Sequence, residues 1–141
     1  MDTKERPFYA DAMGFLSPPG KPPVADQNLK LDLVYSTSAP PFLTATEEII
    51  AAHREFQKVV AGDQGDRFVT VRDSQRNLSD ESFARDKRTR VVFGLQNPPQ
   101  DILDAENPKA KMERLRHEGI RIMTLAYSGP NRYGSGFLDP Y

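Results

Sequence analysis

The residues best placed to do chemistry follow an apolar segment late in the chain. Residues 120–126 are predicted to form a buried strand that runs directly into a loop rich in glycine and asparagine. α/β proteins build binding sites from such loops, at the carboxyl ends of parallel strands. Tyr127, Asn131 and Arg132 bring a phenol, an amide and a guanidinium to this loop, where they either line a polar pocket or lie on the surface.

Other side chains capable of catalysis are scarce. The two histidines, His53 and His117, both fall on predicted helices rather than at strand ends. Two-metal hydrolysis needs several histidine and carboxylate ligands converging on metals about 3.5–4 Å apart. We therefore interpret His117 as a residue of a helix end, where the helix dipole favours a cation. His53 is interpreted as a packed or half-exposed helix residue, and no serine near a strand end has a histidine base.

Several glycines and acids could be taken for ligand-binding residues, but a structural role is the preferred interpretation for them. Neither Gly94 nor the glycines of the late loop have the spacing of a phosphate-binding motif, and turn formation is the preferred role for the loop glycines. Three acids precede a predicted helix and are interpreted as a solvated cluster favoured by the helix dipole: Asp101, Asp104 and Glu106.

Composition excludes several classes of protein. Nineteen Lys and Arg residues against twenty Asp and Glu leave a formal charge of −1, which does not suggest a nucleic-acid or anionic-membrane partner. The absence of cysteine excludes disulfides, thiolate metal sites and a cysteine nucleophile. The charged start has no apolar signal region, and no apolar run approaches the roughly 20 residues of a membrane span. We expect a cytoplasmic protein.

In the first part of the chain, the sequence pattern predicts two strands separated by a proline-rich segment. An apolar run at residues 8–16 is compatible with a first strand, and the four prolines within residues 17–23 then prevent regular structure. A second strand is predicted from the period-two alternation of Leu29, Leu31, Leu33 and Tyr35.

In the remainder of the chain, the sequence pattern predicts helices that alternate with strands. Thr44 and Glu47 form a capping box before a helix that ends near Gly62. Extended segments are predicted at 67–71 and 89–96, with a short helix at 79–87 capped by Ser79. Asn107 and Pro108 begin the last helix, Gly119 ends it, and the strand at 120–126 follows. The last helix lies between two predicted strands and is joined to each by a short connection. This order predicts a βαβ unit in a parallel sheet.

With this order of elements, the sequence from about Leu29 onward resembles the zinc-dependent membrane (renal) dipeptidase family of amidohydrolase-like (β/α)8 barrels. Residues 62–71 resemble the loop and short strand that follow the family's long helix, and residues 91–96 resemble its "hydrophobic-GxEGG" strand. Residues 115–124, with Asn131 and Gly134, resemble its "L..LG.RY.TLT(H/Y)N..N..(A/G)D" strand and loop. The resemblance covers about three-quarters of the chain.

The resemblance implies an α/β fold that forms part of a (β/α)8 (TIM-type) barrel, about its first four strands. A complete barrel typically needs about 250 residues, and this chain has 141. The implied organisation is a proline-rich segment with a first strand at 1–28, followed by half of a dipeptidase-like barrel at 29–141.

Compared position by position, the resemblance implies a degenerate metal site. Met13 and Phe15 fall where the family has the histidine and aspartate of its first strand, and neither side chain can replace those zinc ligands. Gln96 replaces the bridging glutamate. The family's other ligands belong to the second half of its barrel. The resemblance therefore implies zinc for the family but no cofactor for this chain. Tyr127 and Asn131 remain as substrate-binding candidates.

Three hypotheses remain open. The chain is the first half of a dipeptidase-like metallopeptidase, from a truncated or split gene and inactive alone. Alternatively, it is a non-catalytic relative, a pseudoenzyme that binds a dipeptide-like or other polar ligand at the strand ends. In the third hypothesis it is a small α/β interaction module with a coincidental likeness. Open sheet edges expose apolar surface, so we expect a homo-oligomer or a missing second barrel half.

Overall fold

A computed structural model describes residues 10–11, 31–39, 43–62, 67–72, 74–126 and 131–134. These residues form one parallel sheet of five strands: β1 (Ala10–Asp11), β2 (Leu33–Thr37), β3 (Phe68–Thr70), β4 (Thr89–Leu95) and β5 (Ile120–Met123). The helices are α1 (Thr46–Ala61), α2 (Ser74–Asn77), α3 (Asp80–Arg85), α4 (Gln100–Leu103) and α5 (Lys109–Glu118). The predicted α/β class with a parallel sheet is confirmed. The predicted boundary between residues 28 and 29 lies outside the described residues.

Strand β4 is the inner strand to which the others attach. β2 pairs with residues 90–94 of β4, β3 with residues 89–91, and β5 with residues 93–95. β2 pairs along one edge of β4. β3 and β5 therefore both pair with the other edge, β3 near its amino end and β5 near its carboxyl end. β1 extends the sheet beyond β2, which gives four rows of parallel strands.

A bulge in β5 decides which face its side chains occupy. Ile120 is paired with Phe93, whereas Ile122 is paired with Gly94, so Arg121 is an extra residue between them. Ile120 consequently packs into the core, and Ile122 remains 46% exposed.

The core lies between the helices and one face of the sheet. One cluster joins α1 to the strands and contains Val34, Val60, Phe68, Val91 and Phe93. A second contains Ala39, Ile49, Ile50, Leu95, Ile102, Leu115 and Ile120.

On β2 the buried residues are Val34 and Ser36, while Leu33 and Tyr35 are partly exposed. The alternation therefore identified the strand but not its buried side, because α1 covers the face that carries Val34.

Several predicted element boundaries are confirmed by local geometry. Ser79 caps α3, since its Oγ accepts a hydrogen bond of 3.2 Å from the Ser82 N–H. Gly119 ends α5 with a φ of 108°, a left-handed conformation that suits glycine. The single-turn helices α2 and α4 were not predicted, because four residues are too few to show a helical period. No described helix is long and apolar enough to cross a membrane.

The capping box predicted at Thr44 and Glu47 is wrong. Helix α1 begins at Thr46, and the side chain of Asp101 accepts hydrogen bonds from the N–H (3.1 Å) and the hydroxyl (2.7 Å) of that residue. Lys111 pairs with the same carboxylate at 2.8 Å. The interpretation of Asp101 as part of a solvated cluster is therefore also wrong, because this acid joins α4 to α1 and α5.

The last strand is shorter than predicted. β5 ends at Met123, and a further backbone hydrogen bond of 3.0 Å runs from the Thr124 N–H to the Leu95 carbonyl. β4 itself ends at Leu95, so Leu125 and Ala126 have no residue of that strand left to pair with.

We predict that Asp101→Ala lowers the free energy of unfolding at pH 7 by about 1–2 kcal/mol, the usual cost of losing a helix cap and a charge-assisted hydrogen bond. Burial raises the pKa of Asp101, but hydrogen bonds from Lys111 and Thr46 outweigh it, so the net pKa is lowered. This contribution is therefore present above the unfolded-state pKa of about 3.9 and disappears as the pH falls below it.

Urea denaturation at pH 7 and pH 3 measures both effects. Asp104→Ala is the matched control, because the carboxylate of Asp104 accepts an exposed hydrogen bond from Gln100 on the same helix segment. Equal losses in the two variants at pH 7 would contradict a capping role for Asp101.

Candidate functional site

The carboxyl ends of β2, β4 and β5 meet at one edge of the sheet, which we call the carboxyl edge. The Ser38 N–H donates to the Gly94 carbonyl at 3.2 Å, and the Thr124 N–H donates to the Leu95 carbonyl. The residues that directly follow the three strands, Ser38, Gln96 and Thr124, therefore lie side by side. All three carry neutral polar side chains.

Asn131 lies at the same edge, on the loop beyond β5. Its backbone exchanges hydrogen bonds of 2.9 and 3.2 Å with Gly134, which closes a tight turn. Its Nδ2 donates to the Leu125 carbonyl at 2.7 Å, and its Oδ1 accepts from the Tyr133 N–H at 2.8 Å. Asparagine is favoured at such a position because its side chain can bond the backbone of the turn. The amide therefore holds the loop against the end of β5.

Arg132 fixes this loop to the segment after α4. Its guanidinium donates to the Ala105 carbonyl at 3.1 Å and to the Tyr133 hydroxyl at 2.7 Å. It also lies 4.9 Å from the centroid of the Tyr133 ring. Arg132 is exposed, so the structure assigns it to the surface of the loop.

The structure brings two of the five predicted site positions to the carboxyl edge. Gln96 follows β4 directly and is partly buried, and Asn131 lies beyond β5. The other three positions, Met13, Phe15 and Tyr127, lie outside the described residues. Parallel strands end at the same edge of a sheet, so these two positions are compatible with one site, and their roles stay predictions.

The described residues do not fit a zinc site. They contain no group of three or more histidine, aspartate or glutamate side chains that could hold a metal ion. His53 lies near the start of β5, the opposite end from the carboxyl edge, because its Nε2 is 3.1 Å from the Glu118 carbonyl oxygen. His117 is exposed in the last turn of α5, where the sequence placed it.

Tyr35 and Gly94 form a close contact that sequence analysis missed. A Cβ at Gly94 would lie 2.7 Å from the Ile122 carbonyl oxygen and 2.8 Å from the Tyr35 hydroxyl. Glycine is required here because the Tyr35 ring lies over it, so close packing explains this residue and a phosphate does not. An aromatic residue on one strand and a glycine on its neighbour were the available signal.

The Tyr35 hydroxyl is buried and makes no hydrogen bond of good geometry within the described residues. Burial raises the pKa of Tyr35, and the nearby Thr37 hydroxyl opposes this only in part. The phenol therefore stays protonated at neutral pH and can donate a hydrogen bond. Buried polar groups rarely lack a partner, so this hydroxyl is a further candidate for ligand contact.

His53 is a core residue, so of the two alternatives expected for it, packed or half-exposed, the packed one is found. It is fully buried, and its ring meets Phe93 edge-to-face at 5.1 Å between centroids. Its Nε2 is also 2.8 Å from the Gln57 side-chain amide nitrogen, and its Nδ1 has no partner among the described residues. Burial lowers the pKa of His53, although the Glu118 carbonyl and carboxylate oppose this. The imidazole is neutral at neutral pH.

Comparison with known proteins supports the fold and does not show a family. No family model matches the sequence, and no curated protein sequence matches it. The structure is similar to that of an amidohydrolase from Pseudomonas aeruginosa, with a TM-score of 0.65 and 15% sequence identity. The match covers 92% of this chain but only 37% of the amidohydrolase chain. At this identity the likeness shows an amidohydrolase-like fold alone, and the chain spans little more than a third of that protein.

We predict that replacing His53 reduces the acid sensitivity of the fold. The pKa of His53 in the folded chain lies below the unfolded value of about 6.5, so protonation favours the unfolded state as the pH falls below 6.5. Between pH 7 and pH 5, stability should fall more steeply in the native chain than in His53→Gln, by up to about 1.4 kcal/mol per pH unit.

Denaturant titrations at several pH values give these slopes. His117→Gln removes an exposed ring instead and is the matched control. If the free energy of unfolding falls equally steeply with pH in the native chain and in His53→Gln, the claim that the buried imidazole of His53 is neutral is refuted.

Proposed function

We propose that this chain is a dipeptidase-like unit, equivalent to the first half of an amidohydrolase-like (β/α)8 barrel, and that it does not hydrolyse dipeptides by itself. One observation carries the proposal. Gln96, a neutral amide, follows β4 at the carboxyl edge, at the position where the family resemblance implies a bridging glutamate. An amide brings no negative charge to offset two adjacent cations, so it is a poor bridge between them.

The other described residues of the carboxyl edge support the same conclusion. Ser38, Thr124 and Asn131 supply hydroxyls and amides. Zinc in hydrolytic sites is bound by imidazole and carboxylate, which hold the metal while it lowers the pKa of a bound water. Hydroxyls and amides suit hydrogen bonding to a polar ligand instead. The proposal includes the cytoplasmic location expected from the sequence.

A second function is favoured by Tyr35. In this alternative the chain is a non-catalytic module that binds a dipeptide-like ligand at the carboxyl edge. The buried Tyr35 hydroxyl has no hydrogen bond of good geometry within the described residues, and a ligand carbonyl or carboxylate would supply an acceptor. Tyr127 and Asn131 are the other proposed contacts.

We predict that the purified chain, equilibrated with zinc and then desalted, retains far less than one zinc per chain and does not cleave dipeptides. Inductively coupled plasma mass spectrometry measures the metal, and amine release from a panel of dipeptides measures hydrolysis. Gln96→Glu restores one carboxylate only and should remain inactive. Stoichiometric zinc together with dipeptide cleavage by the native chain would overturn the proposal.

A thermal-shift assay with the same dipeptides tests the second function. If the Tyr35 hydroxyl contacts the ligand, a dipeptide should raise the melting temperature of the native chain, and Tyr35→Phe should reduce that rise. No rise with any dipeptide in the panel argues against the module, as does an equal rise in both proteins.

A further inference from the structure

Exposed apolar side chains in the described residues concentrate beside β5. Four large apolar residues are 44–52% exposed, and each belongs to α5, to β5 or to the loop beyond it: Met112, Ile122, Leu125 and Tyr133. Two of them, Met112 and Ile122, lie on a groove between α5 and β5, which we call the α5–β5 groove. Exposed apolar surface gathered in this way marks a binding site more often than single exposed residues do.

The α5–β5 groove has the size and the lining of a site for a small apolar ligand. Its volume is about 500 Å³, and its lining is almost wholly apolar, with Leu115, Ile120 and Met123 beside Met112 and Ile122. Ligand pockets usually have volumes of about 300–1,000 Å³ and mostly apolar linings. A bound peptide would need partners for its backbone N–H and C=O groups, and this lining offers few. A hydrocarbon chain needs none.

The charged residues of the groove indicate the charge of its ligand. Near the start of α5, Lys109 and Glu113 approach each other to 3.9 Å, so that each offsets the charge of the other. Arg116 and Arg121 lie at the opposite end, where the last turn of α5 adjoins the start of β5. Glu113 is the only acid among the described residues that line the groove. An anionic group is therefore favoured at the end that carries the two guanidiniums.

The two arginines have different roles at this end. The Arg121 guanidinium donates to the carbonyls of Arg116, Ile120 and Arg72, which holds it against the last turn of α5. It thereby covers helix carbonyls whose partial negative charge would repel an anion. Arg116 lies one turn after Met112, on the face of α5 that lines the groove. It is exposed and forms no ion pair with another described residue, so its guanidinium can bind a carboxylate.

We propose that the α5–β5 groove binds the anion of a medium-chain fatty acid. The hydrocarbon chain lies against Met112 and Ile122, and the carboxylate binds Arg116, with Arg121 beside it. From Pro108 to Arg116 the helix extends about 12 Å, which suits a chain of medium length. The proposal does not depend on the proposed function, because the groove lies between α5 and β5 and shares no residue with the carboxyl edge. Zinc binding and dipeptide cleavage are therefore independent of its outcome.

Isothermal titration calorimetry with decanoate and decan-1-ol tests the proposal, because the two molecules share a hydrocarbon chain and differ in charge. The native chain should bind decanoate in a one-to-one complex and decan-1-ol about tenfold more weakly, since the alcohol lacks the charge-assisted hydrogen bond. Arg116→Gln should raise the dissociation constant of decanoate about tenfold and leave that of decan-1-ol unchanged. Met112→Gln should weaken the binding of both molecules, because each loses apolar contact.

Two substitutions outside the groove are the matched controls, and circular dichroism checks that every variant is folded. Arg114→Gln removes a guanidinium of the same helix that pairs with Glu47 instead, and Leu125→Gln removes an exposed apolar side chain. Neither should change the binding of decanoate. A native chain that does not bind decanoate, or that binds decan-1-ol equally well, refutes the proposal. So does an Arg114→Gln effect as large as that of Arg116→Gln, or a dimer in sedimentation velocity that excludes decanoate, which would make a second copy the occupant.

Discussion

Hydrogen bonding along both edges of β4 is the constraint on which the described structure depends. β2 lies along one edge, and β3 and β5 divide the other between them. On the face of this strand that packs against α1, Val91 and Phe93 are fully buried. The apolar sequence of β4 suits this position. Gly94 is required as well, because the neighbouring strands leave no room for a Cβ beneath Tyr35.

The two ends of β4 differ in chemistry. At the amino end, the buried Arg90 guanidinium donates to the carbonyls of Asp86, Arg88 and Ser82 at 2.5–2.7 Å and lies 4.1 Å from the centroid of the Phe83 ring. A buried charge is tolerated only with such bonding, and here it fixes α3 to the sheet. At the carboxyl end the side chain is Gln96, beside neutral hydroxyls. The described sheet thus has a hydrogen-bonded base at the amino end of β4 and a neutral polar edge at its carboxyl end.

Local signals predicted the elements well, while non-local contacts decided the details. Ser79 and Gly119 act within a few residues of their own position, so their roles were readable from the sequence. The cap on Thr46 comes from Asp101, 55 residues away, and the bulge at Arg121 depends on the register with β4. Neither leaves a local pattern. At the candidate site, the order of the strands predicts that Gln96 lies at the carboxyl edge. The position of Asn131 depends on its hydrogen bond to the Leu125 carbonyl, and the burial of the Tyr35 hydroxyl depends on the packed sheet.

Hydrogen exchange of the β4 amides tests the inner position of that strand most directly. In a strand paired along one edge only, alternate amides are protected, whereas a strand paired along both edges protects consecutive ones. The structure predicts slow exchange at every amide from Arg90 to Leu95, limited by global unfolding, and alternating protection in β5. Alternating fast and slow amides along β4 would show that it is an edge strand and would contradict this account.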